Sequence, residues 1–294
     1  MLRKFLRVFG VGALVCGGML SLPCSKSDAA VMMPPFATDT FSSSFNVSLY
    51  LQPGCFGLPQ EVLVHATGSD FPGTSTTVLR EINAFTGYCG TDTVNTMFVS
   101  MHLAGGVVTP GAFYGTPVHF KVGQNNGFRP GLGLSPGQVA ENIGTPTNGL
   151  IDVFPTKSLF DLFLDIWVDV DSDGLVEDGE VLRNYDQSLR MENPTLRGFP
   201  PPPGDYYTST GSIDYNNSLL GEFSSPSNLS TGRINFYVVD PLGFNSNCIA
   251  AQLDPLASDT HLVTPEPTSM VLFGGLMIMP ILRGFRRGNR TLSV

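Results

Sequence analysis

The chain reads as an all-β protein: an antiparallel β-sandwich or jelly-roll-like body with a signal peptide before it and a short apolar helix after it. Three observations point there. Charged residues make up only 14% of the 294, whereas Gly (33) and Pro (23) are abundant, a balance that suits turn-rich sheet and disfavours long Glu/Lys/Arg-rich helices. Several segments alternate apolar and polar residues at period two, as half-buried strands do. Between the two ends no helix-period stretch of convincing length occurs.

In chain order, FNVSLYL puts Phe45, Val47, Leu49 and Leu51 on one face of a strand. Glu61–Ala66, Val94–Gly105, Ala112–Gly123 and Arg233–Asp240 alternate in the same way. The clearest case is LFDLFLDIWVDV, Leu159–Val170. There Leu162, Leu164, Ile166, Val168 and Val170 point one way, and Asp161, Phe163, Asp165, Trp167 and Asp169 the other. Turn clusters such as QPGC, SDFPGTS and GQNNGFRPGLGLSPG separate these runs. EINAF and SPGQVAENI suit single helical turns. The Pro-rich stretch Phe199–Tyr207 is a stiff, extended insertion that either divides the body or sits within one β domain of ~230 residues. No internal repeat is present.

The first thirty residues describe a route. Arg3, Lys4 and Arg7 precede the apolar run Val8–Leu22, and the small residues Ser27 and Ala29 mark a cleavage site after Ala29. That is the layout of a secretory signal peptide over residues 1–29, too short in its apolar part for the ~20 residues of a membrane span. Setting aside the signal and the four tail arginines leaves eight basic and 24 acidic residues, a formal net of −16. Such a body is repelled by nucleic acid and anionic lipid and attracts cations. After cleavage Cys55, Cys89 and Cys248 remain, one disulfide and one thiol. Shorter loop closure favours Cys55–Cys89, leaving Cys248 over.

The tail, residues 264–294, is organised differently from the body, residues 30–263. Pro265-Glu266-Pro267 precedes thirteen apolar-leaning residues, Met270–Leu282, and then Arg283, Arg286, Arg287 and Arg290. A helix of that length spans about 20 Å against ~30 Å of hydrocarbon, so it stops transfer without making a good permanent anchor. The arginines stay on the cytoplasmic side and the body lies across the membrane. The prolines bias Thr264 and Glu266 toward extended backbone that a processing enzyme can bind as an added strand.

Pro265-Glu266-Pro267-Thr268, the apolar run with Gly274-Gly275-Leu276 and the terminal arginines together resemble the PEP-CTERM sorting signal of exported bacterial proteins. Thr264 stands where valine often precedes the motif, and Gly-Phe interrupts the basic cluster. The resemblance covers about thirty of the 294 residues. It implies processing by an exosortase-type membrane protease, transient anchoring in the inner membrane, and delivery to the cell surface or an extracellular matrix. It also implies an association with exopolysaccharide or biofilm. Tails of this kind sometimes carry an ice-binding label, but an ice-binding face needs a flat threonine ladder, and Thr74–Thr77 is too short for one.

The sharpest local signal in the body is DVDSDGLVEDGE, Asp169–Glu180. It fits a twelve-residue Ca²⁺ loop, with carboxylates from Asp169, Asp171 and Asp173, glycine at the sixth position, the carbonyl of Leu175, Glu177 directly or through water, and a bidentate Glu180. The incoming helix of an EF-hand is missing, so the loop is expected to join two strands and serve a structural role. A solvated acidic turn would use the same Asp and Gly for turn geometry alone.

Other motifs carry less. GLSPG matches the G-x-S-x-G elbow, but Pro136 lacks the N–H that its oxyanion hole needs. His65, His102, His119 and His261 are scattered and make no zinc motif. No catalytic residues are identified, and a non-enzymatic surface or matrix protein is the leading expectation. The alternative is a carbohydrate-binding or carbohydrate-active protein acting on exopolysaccharide, which an aromatic platform such as Trp167 with Tyr206 and Tyr207 on one groove would support.

Overall fold

The computed structural model describes residues 37–81, 84–202, 204–214, 220–223, 229–256 and 260–265. The first half of the chain forms β1 (Thr38–Leu51), the single-turn helix α1 (Pro53–Phe56), β2 (Val62–Asp70), β3 (Thr76–Arg80), β4 (Phe85–Thr86), β5 (Asp92–Val107), β6 (Pro117–Val122) and β7 (Ser135–Ala140). Then come β8 (Thr156–Leu162), β9 (Leu164–Val168), β10 (Val181–Arg183), β11 (Gln187–Leu196) and β12 (Asp205–Asp214). The last are β13 (Leu229–Ser230), β14 (Ile234–Val239), β15 (Asn245–Leu253) and β16 (Thr260–Pro265). The fold is all-β, and its strand pairings are antiparallel.

Two hydrogen-bonded circuits close on themselves. One runs β1–β2–β5–β6–β9–β10–β14–β15 and returns to β1. The other runs β1–β3–β5–β7–β8–β11–β12–β16 and also returns to β1. Both share β1 and β5, long strands of 14 and 16 residues whose two halves belong to different circuits. Closing a sheet leaves its main strands no unpaired edge. The alternation expected for Phe45–Leu51 holds: Phe45, Val47, Leu49 and Leu51 enter a single core with Leu103, Phe120, Phe160 and Phe236.

The segment Leu159–Val170 departs from one continuous strand. It divides at Phe163, with β8 in one circuit and β9 in the other. Side chains replace the ladder at the break. Phe163 N donates to Ser135 Oγ at 2.9 Å, and Leu164 N donates to Asn184 Oδ1 at 2.7 Å. Leu162, Leu164, Ile166 and Val168 face the core as expected, whereas Val170 is exposed. The opposite face is also buried. Asp161 pairs with Arg190, and Asp165 accepts both Nε (2.6 Å) and a terminal nitrogen (2.9 Å) of Arg183.

Three further expectations are corrected or refined. Ser135–Ala140, suited by sequence to a helical turn, is strand β7 because β5 and β8 flank it and supply the pairing that local propensity does not. Phe199 and Tyr207, at either end of the Pro-rich stretch, enter the same core, which spans both circuits. The disulfide is Cys55–Cys248, with Cα atoms 6.1 Å apart, and Cys89 is an exposed free thiol. Loop-closure entropy changes only slowly with length, so it discriminates weakly between pairings. What decides is register: β1 pairs with β15, and Gln52 N donates to Ala250 O, which sets α1 beside Cys248.

Cys248→Ser, or reduction of the disulfide, is expected to lower the unfolding free energy by about 2–5 kcal/mol. Cys89→Ser should stay within about 0.5 kcal/mol of the parent. Urea denaturation with and without dithiothreitol reads the difference, and equal midpoints for all three proteins would exclude this pairing.

Candidate functional site

The Asp169–Glu180 segment connects β9 to β10, strand to strand, across the Trp167–Val181 pair. Asp169, Asp171 and Asp173 each offer a carboxylate oxygen, all within 4.8 Å of one another. Asp169 is buried while the other two are exposed. The loop is wound around Asp169: its Oδ1 accepts Asp173 N at 3.2 Å and its Oδ2 accepts Gly174 N at 3.1 Å. Asp171 Oδ1 accepts Asp173 N at 3.3 Å, and Asp173 Oδ1 accepts Leu175 N at 2.7 Å. Gly174, at φ 77°, takes the left-handed turn that points these amides inward.

Glu180 stands apart from that trio. Its buried carboxylate accepts Val170 N at 3.0 Å through Oε1, and Trp167 Nε1 at 3.0 Å and Glu177 N at 3.2 Å through Oε2. It therefore ties the ends of the loop together and fixes it to the indole of β9. Glu177 is exposed, and the charges of Asp171 and then Asp173 push its carboxyl above the usual carboxylate range. Arg129 reaches the far side of the loop, donating to the carbonyl of Glu177 at 2.9 Å and lying 3.4 Å from Asp178 Oδ1. The arrangement is a set of hard oxygen donors on a pinned backbone, of the kind that suits a hard divalent cation.

Next to the loop lies a layer that the sequence did not expose as such. On the outer face of β5, β6 and β9, His102 stacks on Phe71 with centroids 4.4 Å apart, and His119 stacks on Trp167 at 4.6 Å. His119 Nδ1 and His102 Nε2 are 3.4 Å apart, and Phe128 covers both rings edge-on with Lys121 Nζ over its own face. The histidines that read as scattered are diagonal neighbours across the β5–β6 ladder, where His102 pairs with Lys121 and His119 with Ala104. The signal was there in two outward positions on adjacent strands, but only the register brings them together. His65 is separate, its Nδ1 2.9 Å from Ser48 Oγ, and His261 lies on β16.

Other candidates resolve structurally. Ser135 is fully buried, and its hydroxyl donates to Phe163 O at 3.2 Å, so it clamps the β8–β9 break. The aromatic groove imagined from Trp167, Tyr206 and Tyr207 does not form. Trp167 is buried on β9, Tyr207 is a core residue donating to Ser158 Oγ at 2.8 Å, and Tyr206 is on the outside of β12. Of the sorting motif, Pro265 ends β16 opposite Phe41 of β1, while Glu266, Pro267 and the four arginines lie outside the described residues. Among the described residues no helix is long and apolar enough to cross a membrane, and the apolar runs of both ends lie outside them.

No family model matches the chain. No curated protein matches it either. Among solved structures it is similar to DynF from the dynemicin biosynthesis pathway of Micromonospora chersina, with 15% identity over 89% of this chain and 96% of that one, at a TM-score of 0.46. At that level the likeness says nothing about activity.

Burial holds His102 well below its ordinary 6.5, at about 4, with Lys121 and then His119 adding to the effect. His119 is lowered too, by burial first, against the opposing charge of Asp169. The folded state thus favours neutral rings. Their contribution is complete above about pH 6.5 and is lost as pH falls toward 4, because the unfolded chain binds the protons more readily. The denaturation midpoint should therefore fall over that window, and by less in His102→Gln. Parallel profiles for the two proteins would show that the pair does not set the slope.

Proposed function

We propose that this chain is an exported protein of the bacterial surface or extracellular matrix, with a structural or interaction role and no catalytic centre. It is sorted by an exosortase-type protease acting at Pro265-Glu266-Pro267. What supports export most directly within the fold is the Cys55–Cys248 disulfide, a bond that persists in oxidising compartments. It agrees with a chain that opens on a signal-like segment and closes on an apolar run with four arginines.

In this proposal the Asp169–Glu180 loop holds Ca²⁺. Asp169, Asp171 and Asp173 supply carboxylate oxygens, Leu175 its carbonyl and Glu177 a further oxygen, while Glu180 closes the loop. The ion would relieve the mutual repulsion that raises Glu177 and would stiffen the β9–β10 connection against the Trp167 layer.

Ca²⁺ in excess over chelator should raise the melting temperature of the full-length protein, with stabilisation of about 2.7 kcal/mol at a hundredfold excess over Kd. Asp171→Ala, which removes an exposed carboxylate, should abolish that gain. Identical melting with Ca²⁺ and with chelator would remove the metal from the proposal. Destination is tested separately by mass spectrometry of the protein from its native host. The expected mature form begins near Ala30 and ends within or just after Pro265-Glu266-Pro267; cytosolic protein with both ends intact would overturn export.

A further inference from the structure

On another part of the surface, the β10–β11 connection meets the β14–β15 hairpin. Together they line a cleft of about 360 Å³. Three aromatic rings surround it: Tyr185, Tyr237 and Phe244. Tyr185 and Phe244 are 65% and 67% exposed, well beyond what core packing produces, and an exposed aromatic patch on a soluble surface commonly marks a contact site. The polar residues of the lining are Asp186, Asn245, Ser246 and Asn247, and no Lys, Arg or His lines the cleft.

Both exposed rings stand on pinned backbone. Asp240 Oδ1 accepts the amides of Leu242 (2.9 Å) and Phe244 (2.8 Å), and Asp240 N donates to Phe244 O at 2.9 Å. Gly243, at φ 91°, lets the same turn rest on the carbonyl of Pro130, where a Cβ would collide. On the other wall, Asn184 is fully buried and donates to Leu162 O and Gln187 O, each at 2.9 Å, which fixes the backbone on which Tyr185 stands. The backbone that carries the rings is therefore fixed before any ligand arrives, which lowers the ordering cost of binding.

We infer that this cleft binds a neutral saccharide. A pyranose has apolar C–H faces and a rim of hydroxyl donors, and the cleft offers aromatic faces for the first and oxygen acceptors for the second. Asp186 brings a carboxylate to the lining, and Asn245 and Asn247 bring amides, groups that can accept from and donate to sugar hydroxyls. With one carboxylate and no cation in the lining, an anionic ligand would be repelled, which selects against uronate- or phosphate-bearing polymers. The volume suits about one or two sugar rings. The inference uses neither the calcium loop nor the sorting tail, so it stands or falls independently of them.

Affinity electrophoresis of the full-length protein tests it, in native gels cast with a glucan, a galactomannan or a xylan, and with polygalacturonate as the acidic contrast. The expected result is retardation by at least one neutral polymer and none by polygalacturonate. Tyr185→Ala and Phe244→Ala should each weaken that retardation by on the order of tenfold, with unchanged melting because both rings are exposed. Tyr114→Ala, which removes an equally exposed ring outside the cleft, should leave it intact. Absence of retardation by every neutral polymer, retardation by the acidic one alone, or undiminished retardation in both ring variants would overturn the inference.

Discussion

Two strands carry the architecture. β1 and β5 each run through both closed circuits, so the pairing of every other element is referred, directly or through neighbours, to their register. A slip of one residue in β1 would turn Phe41, Phe45, Val47, Leu49 and Leu51 outward together and would open both circuits at once. At the β2–β5 contact the two backbones approach so closely that Gly68 and Gly105 face each other, and a Cβ on either would run into the opposite chain. Glycine at this pair is a consequence of the closure and has no part in turn formation.

Closure also explains where the charge goes. Asp161 and Asp165 occupy positions that an open, one-sided sheet would expose, yet both are fully buried. Their charged partners are cross-strand neighbours, Arg183 on β10 and Arg190 on β11, and the covering loops add backbone groups. Arg183 lies between Asp165 and the carbonyls of Arg129 and Pro130, and Gly221 N joins Arg190 on Asp161. A buried pair of this kind is roughly neutral against an apolar replacement but strongly destabilising when one partner is lost. It therefore acts as a lock on the way the 123–134 and 220–223 segments sit over the sheet. The neighbouring Phe128, whose amide donates to Asp165 Oδ2 at 2.9 Å, is placed over the histidine pair by the same lock.

What could be read from the chain follows from range. Period-two alternation is local, so the strands around Phe45–Leu51, Val94–Gly105 and Arg233–Asp240 were legible. β7 and β11 were not, because Pro136, Pro194 and several polar residues break the alternation and both faces of these strands are largely covered. The Asp169–Glu180 spacing was legible as an oxygen-rich loop, and its strand flanks with it. The part played by Glu180 was hidden, since its donors come from Val170, Glu177 and the side chain of Trp167 in the folded arrangement. Cys55–Cys248 was illegible for the same reason as the histidine pair: both depend on which strands become neighbours, and residue spacing does not encode that.

The acidic loop is where these constraints meet. It carries six acids in twelve residues, and among the described residues Arg129 is the cation that an ion pair places against it, at Asp178 on its rim. Asp169 is held inside by Asp173 N and Gly174 N, and Glu180 by the indole and two amides, so neither can swing out to dilute the charge. Asp171, Asp173 and Glu177 are left to share the remaining field, and the charges of Asp171 and then Asp173 push the exposed Glu177 carboxyl upward. A monovalent side chain at the rim cannot neutralise such a set. In the proposed calcium-bound form, a divalent cation among Asp169, Asp171 and Asp173 would offset that repulsion while the Glu180–Trp167 contact holds the loop against β9.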